Sequence, residues 1–491
     1  VTSHQGLFIN GSFSSALDEA TLDVLNPHDG TVIATVAEAG TADVDRAVEA
    51  ATRAFPGWSS LSGSERGRRL LRLADAIETN ADELARLESL DTGHPIHDTT
   101  LLDVPRTAAT FRYFGGMADK FEGNLPPVDP GFLNYVLREP IGVIGQIVPW
   151  NFPLMFCGWK LGPALAAGNT VVMKPSELVP LSTLRLCEMF EEVGISAGVV
   201  NVLPGYGARA GAHLAAHEGV GKLSFTGSTR TGRSIVEASA GNLKRLQLEL
   251  GGKGANIIFG DADLDAAVNG SAFAIFHNQG QACIAGSRLI VQDNVYDEFV
   301  ERFVALASSI KIGDPLLSDT EMGPLTSSQH RDRVLHYVGV AIEEGGELLA
   351  GGAAPESPDL SAGYYVAPTV VQANPTSRVC LEEVFGPFVT VSSFRDESEA
   401  IEVANSTDYG LGAGLWTRDL SRAHRVAANL RSGMVWINCY KRVHPASPFG
   451  GVGHSGYGRE MGFDAMHEYT EAKSVWINVD AVIPPWYRRG D

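Results

Sequence analysis

Between Gly142 and Met173 the chain reads GVIGQIVPWNFPLMFCGWKLGPALAAGNTVVM, and this stretch decides the fold. The apolar run at 142–148 is short and continuous, as a strand buried on both faces would be. Pro149 and Pro153 bracket Trp-Asn-Phe, a helix-like segment follows at 154–167, and a second apolar run stands at 170–173. Moving outward, apolar runs recur at 199–203, 222–225 and 245–248, separated by helix-like segments at 181–193, 208–217 and 231–240. Strand, helix, strand at intervals of about 25 residues describes a parallel sheet covered by helices. Gly251-Gly252 punctuates the end of the unit.

Upstream, apolar residues at three- and four-residue spacings predict one helix over 64–90, stopped by Gly93 and Pro95. Residues 124–139 read as a proline-rich loop entering an alternating edge strand. A second, less regular α/β unit is expected over about 255–462, with helices at 294–310 and 329–344 and strands at 365–371, 388–394 and 434–438. The tail at 469–479 alternates again and is expected to pair with the earlier arm as a third small module. The final IPPWYRRGD carries no reading.

The balance of 38 basic against 58 acidic residues leaves a net charge of −20 over 491 residues, which repels a phosphate backbone and speaks against nucleic acid. No window approaches 18 uninterrupted apolar residues, so no membrane span is expected. The opening VTSHQGLFING has no basic-then-apolar leader, and five scattered cysteines offer neither disulfide framework nor metal spacing. A cytoplasmic protein without a metal site is expected.

Cys283 lies in NQGQACIAGSR among small residues that let a ligand approach closely. An inert buried thiol is the ordinary alternative, but polar Asn278, Gln279 and Gln281 favour a reactive nucleophile. Glu249, in QLELGGKG, ends a strand, where parallel sheets place their ligands; it reads as a general base or as a solvated turn residue. Asn151 is either an oxyanion donor or a helix N-cap. Gly227-Ser-Thr-Arg-Thr-Gly232-Arg-Ser234 nearly matches a phosphate loop, except that Arg233 stands where lysine is required; its helix N-terminus still suits a pyrophosphate. Gly205-Tyr-Gly207 begins a glycine run one residue too long for the dinucleotide fingerprint, while Lys174 and Glu177 read as ribose partners or surface charge.

The order of these signals is more specific than any of them. PWNFP, MKPSE, FTGST, LELGGK, a cysteine 34 residues after the glutamate, EEVFGPF and SPFGG together resemble the NAD(P)-dependent aldehyde dehydrogenase superfamily across nearly the whole chain. The resemblance implies a Rossmann-like cofactor domain (1–120 and 141–251), an α/β catalytic domain (252–467) and a small β oligomerisation arm (121–140 and 468–491), assembled as a homodimer or homotetramer. It implies Cys283 as nucleophile, Glu249 as base, Asn151 with the Cys283 N–H as oxyanion hole, and Lys160 with Glu460 as an auxiliary pair on the proton exit route.

On the cofactor side the resemblance implies Lys174, Ser176 and Glu177 at the adenosine ribose, and Gly207, Phe225, Gly227 and Ser228 along the adenine and pyrophosphate. Glu383 and Phe385 would hold the nicotinamide end, with Ile147, Pro149, Trp150 and Leu250 completing the wall. The Glu177 carboxylate repels a 2′-phosphate, so NAD is expected before NADP. Phe152, Phe156 and Trp159 fall on one helix face, which by spacing alone is most simply core; the resemblance implies that, with Phe449, it walls a substrate tunnel for an aromatic or medium-size aldehyde. Lys441, Arg442 and His444 suggest a basic tunnel mouth suited to a semialdehyde acid, or an ordinary basic loop. The implied reaction is oxidation of an aldehyde through a cysteine thiohemiacetal and a thioester that a Glu-activated water hydrolyses. A thiol esterase without redox turnover, a non-catalytic relative and a P-loop nucleotidase are the competing classes.

Overall fold

The computed structural model describes residues 6–483, 486 and 487, so the ends of the first and third expected modules (1–5, 484, 485 and 488–491) lie outside the described residues. The arm begins the numbering: β1 (Phe132–Pro140) pairs antiparallel with β13 (Thr470–Asn478), Phe132 facing Asn478 and Pro140 facing Thr470. The alternating tail and the alternating arm are therefore partners, as their patterns predict.

The unit read from 142–248 is a parallel sheet of β2 (Val143–Ile147), β3 (Thr170–Lys174), β4 (Val200–Val202), β5 (Lys222–Thr226) and β6 (Arg245–Glu249). Their spatial order is β6-β5-β2-β3-β4; Gly456–Tyr457 adds antiparallel beside β6, and Leu7–Ile9 beside β4 with Ser12–Ser14 outside it at the edge. The chain runs outward from β2 to β4, then returns to the other side of β2. Strand order thus reverses between β2 and β5, and a crevice opens outside their carboxyl ends.

The second sheet holds β7 (Ala255–Ile258), β8 (Arg288–Gln292), β9 (Thr369–Gln372), β10 (Phe388–Phe394), β11 (Gly412–Trp416) and β12 (Met434–Ile437), parallel in the order β9-β10-β8-β7-β11-β12. Its outer edge is closed by antiparallel Glu347–Ala350. One apolar cluster joins the units, running from Phe156 and Leu161 in the first to Ile275 and Leu289 in the second.

Among the helices, α1 spans Val104–Met117, α2 Pro153–Ala167, α3 Thr229–Ala238, α4 Leu264–Phe276 and α5 Ser328–Glu343. Every residue of α2 is buried, which is why its sequence is apolar on all sides. Several expectations need correction. The helix expected over 64–90 is two, Gly63–Thr79 and Ala81–Thr92, broken where Asn80 leaves helical geometry and turns its side-chain amide back onto the Ala76 carbonyl. The helix expected at 181–193 ends at Cys187. That at 208–217 is a wide turn over Gly207–Gly211 followed by the single turn Ala212–Ala216. The strand expected from 365 begins only at Thr369, after Pro368, which has no N–H for the ladder. Helices Thr41–Ser59 and α1 lay outside the periodic reading.

Candidate active site

The candidate residues gather at the carboxyl ends of the first sheet: Ile147 ends β2, Lys174 ends β3, Thr226 ends β5 and Glu249 ends β6. Opposite them, the loop after α4 carries Cys283. That loop is unusual: Asn278, Gln279 and Gly280 all have left-handed φ, at 53°, 53° and 70°. Two consecutive non-glycine residues in this region store strain, so the surroundings must over-determine it. They do. Gln279 Nε2 donates to the carbonyls of Gly93 (2.6 Å) and Pro324 (3.0 Å), and Asn278 Nδ2 donates to Asn151 O (2.7 Å). Gln281 Oε1 accepts from the Thr326 N–H at 3.0 Å. The polar residues around the cysteine are therefore buried clamps rather than the lining of a wet site.

Asn151 completes the clamp by donating its amide to Gln281 O at 2.9 Å. It is not the N-cap of α2, a position that Phe152 occupies. Gly252 packs so closely on the loop that a Cβ would stand 2.2 Å from Cys283 O. The Gly251-Gly252 doublet is thus a close approach between the two sheets as well as a turn.

The Cys283 sulfur faces two spaces. One is a cleft of about 490 Å³ that also contains Pro149, Trp150, Gly227, Ser228, Leu250, Glu383 and Phe385. The other is a much tighter cavity of about 40 Å³ walled by Phe152, Phe156, Trp159 and Phe449. Burial, then the charges of Glu383 and Glu249, push the thiol well above its ordinary range; the N–H groups of Ile284 and Cys283 oppose this.

Glu249 is 1% exposed and neither carboxylate oxygen has a hydrogen-bond partner. Burial first, and Glu460 second, raise its pKa well above that of an ordinary glutamate, with Lys160 and Arg459 working against them. Glu460 itself is ion-paired with Lys160, whose ammonium also donates to Ser224 Oγ at 2.8 Å. Lys160 and Glu460 are therefore paired with each other next to Glu249, inside the protein.

In the cleft, Glu383 Oε1 accepts the Gly252 N–H at 2.7 Å, and burial lifts this carboxyl to about 7. Phe385 holds φ +66°, its ring 5.3 Å from that of Trp150, while His330 Nε2 donates to Phe385 O at 2.6 Å. Ile147, Lys174, Ser176, Glu177, Gly207 and Phe225 are not among the residues that line this cleft. At the end of β3, Lys174 Nζ donates to Pro175 O (2.7 Å) and Gly205 O (2.9 Å) and lies 3.4 Å from Glu177. Ser176 Oγ accepts the Leu178 N–H. Ile147 lies across from Gly211 and Lys174, and the tip of the Phe225 ring packs against Gly227, where a Cβ would collide with it. Gly207 is exposed with open space where a Cβ would stand. Ser228 caps α3, accepting the Thr231 N–H at 3.2 Å.

Of the three basic residues expected at the tunnel mouth, Arg442 and His444 do not line the tunnel: both are exposed and open onto a surface recess that shares Val443 and Phe449 with it. The third, Lys441, is inside, together with Arg106 and His277, two residues the sequence reading passed over. The cleft likewise contains His330, Arg333 and Tyr337, which share a face of α5 at i, i+3 and i+7. That spacing was legible; its direction was not.

A cleft at a strand-order reversal, beside a cysteine loop and a buried carboxylate, is the architecture of a nucleotide-dependent α/β oxidoreductase. The sequence model of the aldehyde dehydrogenase family matches residues 14–475. Betaine aldehyde dehydrogenase of Bacillus subtilis is 46% identical over 488 residues, covering 98% of this chain and 99% of its own. Human mitochondrial aldehyde dehydrogenase is 46% identical over 96% of this chain and 92% of its own. The crystal structure of PnpE from Pseudomonas sp. WBC-3 in complex with nicotinamide adenine dinucleotide superposes with a TM-score of 0.98 at 66% identity, covering 99% and 100% of the two chains. This chain belongs to the aldehyde dehydrogenase family.

Proposed function

We propose that this protein oxidises an aldehyde to the carboxylic acid with NAD as hydride acceptor, using Cys283 as nucleophile and Glu249 as the base that activates the hydrolytic water. The observation that carries the reading is the position of Cys283, at the junction of a wide cleft and a narrow tunnel, with Asn151 beside it in the cleft and the charge of buried Glu249 acting on its thiol from behind the cavity walls.

The cleft residues fit a dinucleotide. The α3 N-terminus at Ser228 suits a pyrophosphate, Glu383 offers a carboxylate to one ribose, and Trp150 and Phe385 present rings at the nicotinamide end; Glu177, near the end of β3 and outside the cleft lining, would offer a carboxylate to the other ribose. When bound, NAD supplies the hydride acceptor. Glu177 makes it the preferred cofactor, with NADP second.

Cys283 adds to the aldehyde carbon, and the oxygen that becomes negative is met by the Asn151 amide and the Cys283 N–H. Because the Asn151 side chain and the cysteine loop are tied to each other, these donors need no reorganisation when charge develops. Loss of hydride from the thiohemiacetal leaves a thioester on Cys283. Glu249 takes a proton from water, the water attacks the thioester, and acid is released with the thiol restored. Lys160 and Glu460, next to Glu249, continue the route by which that proton leaves. A hydrolytic base distinguishes this sequence from one that hands the thioester to an external thiol.

The tunnel walls Phe152, Phe156, Trp159 and Phe449 would receive an aromatic or medium-size aldehyde. The same reading assigns cofactor binding to 1–120 and 141–251, catalysis to 252–467, and assembly as a homodimer or homotetramer to the β1–β13 arm.

The test is reduced-nicotinamide formation on a panel of aldehydes with NAD and with NADP. Wild-type protein is expected to turn over and Cys283→Ser to lose at least 10³-fold, on the order expected when a covalent nucleophile is removed. Equal rates in the two proteins would end the proposal.

A further inference from the structure

Three polar side chains face the tunnel without the partners their burial calls for. Lys441 is 5% exposed, yet its ammonium reaches only the carbonyls of Phe273 (3.5 Å) and His277 (3.4 Å) and the face of the Phe273 ring (5.9 Å). Arg106, from α1, forms no ion pair among the described residues. His277 is nine-tenths buried and neither ring nitrogen has a hydrogen-bond partner.

The acids nearby do not balance these cations. Asp103 is engaged at 2.6 Å by His94. Asp98 lies 3.3 Å from His97 and 3.8 Å from His277. A metal ion held by His94, Asp98 and His277 would stand before Lys441 and Arg106, and like charge disfavours it. Two cations in a narrow aromatic cavity are costly to leave uncompensated, and their cost is removed by an anion on a ligand. Lys441 also holds a left-handed φ of +53°, a strained placement that aims the side chain inward.

We propose that the tunnel accepts an aldehyde whose far end carries a carboxylate, an oxo acid, with Arg106 and Lys441 holding the carboxylate and His277 hydrogen-bonding beside it. The proposal rests on the aldehyde oxidation above and names its substrate class. The balanced reaction is oxo acid carboxylate + NAD⁺ + H₂O → dicarboxylate + NADH + 2 H⁺: the aldehyde carbon loses a hydride and gains the water oxygen. Burial and Arg106 bring the Lys441 ammonium down to about 7, with Cys283 and Asp98 opposing, and a bound carboxylate would restore its proton.

The experiment compares kcat/KM for 6-oxohexanoate and its methyl ester, which share a carbon skeleton and differ in charge. The acid is expected to be favoured at least tenfold, the order of one charge-assisted hydrogen bond. Arg106→Gln should collapse that ratio, and Arg106→Lys should retain part of it. Independently of turnover, adipate should slow iodoacetamide alkylation of Cys283 more than adipamide does, and this difference should vanish in Arg106→Gln. Equal efficiencies together with equal protection would overturn the inference while leaving aldehyde oxidation standing. Preferential protection by adipate with no oxidation of either aldehyde would support the anion site and remove the oxidation reading.

Discussion

Glu249 sits where its own charge is opposed by burial and by Glu460, and a base must be deprotonated to act. The raised pKa therefore places the acid limb of the kcat profile above the ordinary glutamate value of about 4.3, with turnover rising as pH rises through it. In Glu249→Gln that limb should vanish. Each site should still release one equivalent of NADH in a burst, after which steady turnover should fall by roughly 10²–10⁴-fold. Rapid-mixing absorbance measures both, and an undiminished steady rate would remove Glu249 from the hydrolytic step. Cys283 is biased in the same direction, its thiol raised by burial and by two carboxylates. Its alkylation by iodoacetamide should accelerate continuously from pH 7 to pH 9, without the low-pH plateau of a thiolate stabilised by a cation.

At the scale of elements, the loop between α4 and β8 aims the sulfur, and it works because three left-handed residues in a row are pinned by Gly93, Asn151 and Pro324. Gly280 is its least replaceable member. A Cβ there would fall 1.9 Å from the Gly386 carbonyl oxygen at φ +70°, where side chains are already disfavoured. Gly280→Ala should cost about 2 kcal/mol or more and lower Tm, with Cys283 alkylation altered before global unfolding begins. A melting temperature within 1 °C of wild type, about what thermal scans resolve, would show that the loop yields more easily than this packing implies.

At the scale of the whole molecule, the β1–β13 arm is a two-stranded ribbon with Leu133, Leu137, Trp476 and Ile477 exposed along it. Two strands alone are marginal in water; Leu133, Leu137 and Ile477 share one face and Trp476 the other, and apolar side chains on both faces of a ribbon point to burial against another copy of the chain. Replacing Leu137 and Trp476 together by glutamate should reduce the mass in solution to that of a smaller assembly while the far-ultraviolet signal of the two larger sheets persists. Light scattering after size exclusion decides this, and an unchanged mass would take the arm out of the interface.

The parallel sheet was legible because its central strands, β2 and β3, are buried on both faces and appear as nearly continuous apolar runs, while β5 and β6 keep a shorter apolar signal; each run ends within a residue or two of the expected position. Cys283, Glu249 and Asn151 were legible because tight glycines and strand ends leave a local signature. Element ends at Asn80, Cys187 and Pro368 were less so, since a backbone amide's own partner decides them. Arg106 left no trace in the pattern: it lies on a helix outside the periodic reading, and a lone arginine reads as surface charge. In the basic loop, Lys441 and Arg442 are adjacent and chemically alike, yet one lies in the tunnel and the other in solvent. The sequence by itself determined the class of fold and the candidates for the reacting groups, because burial period and glycine spacing are local properties of the chain. The tertiary structure alone decided which cations face the substrate, because that depends on the packing of α1, α4 and the 441 loop against one another across more than 300 residues of chain.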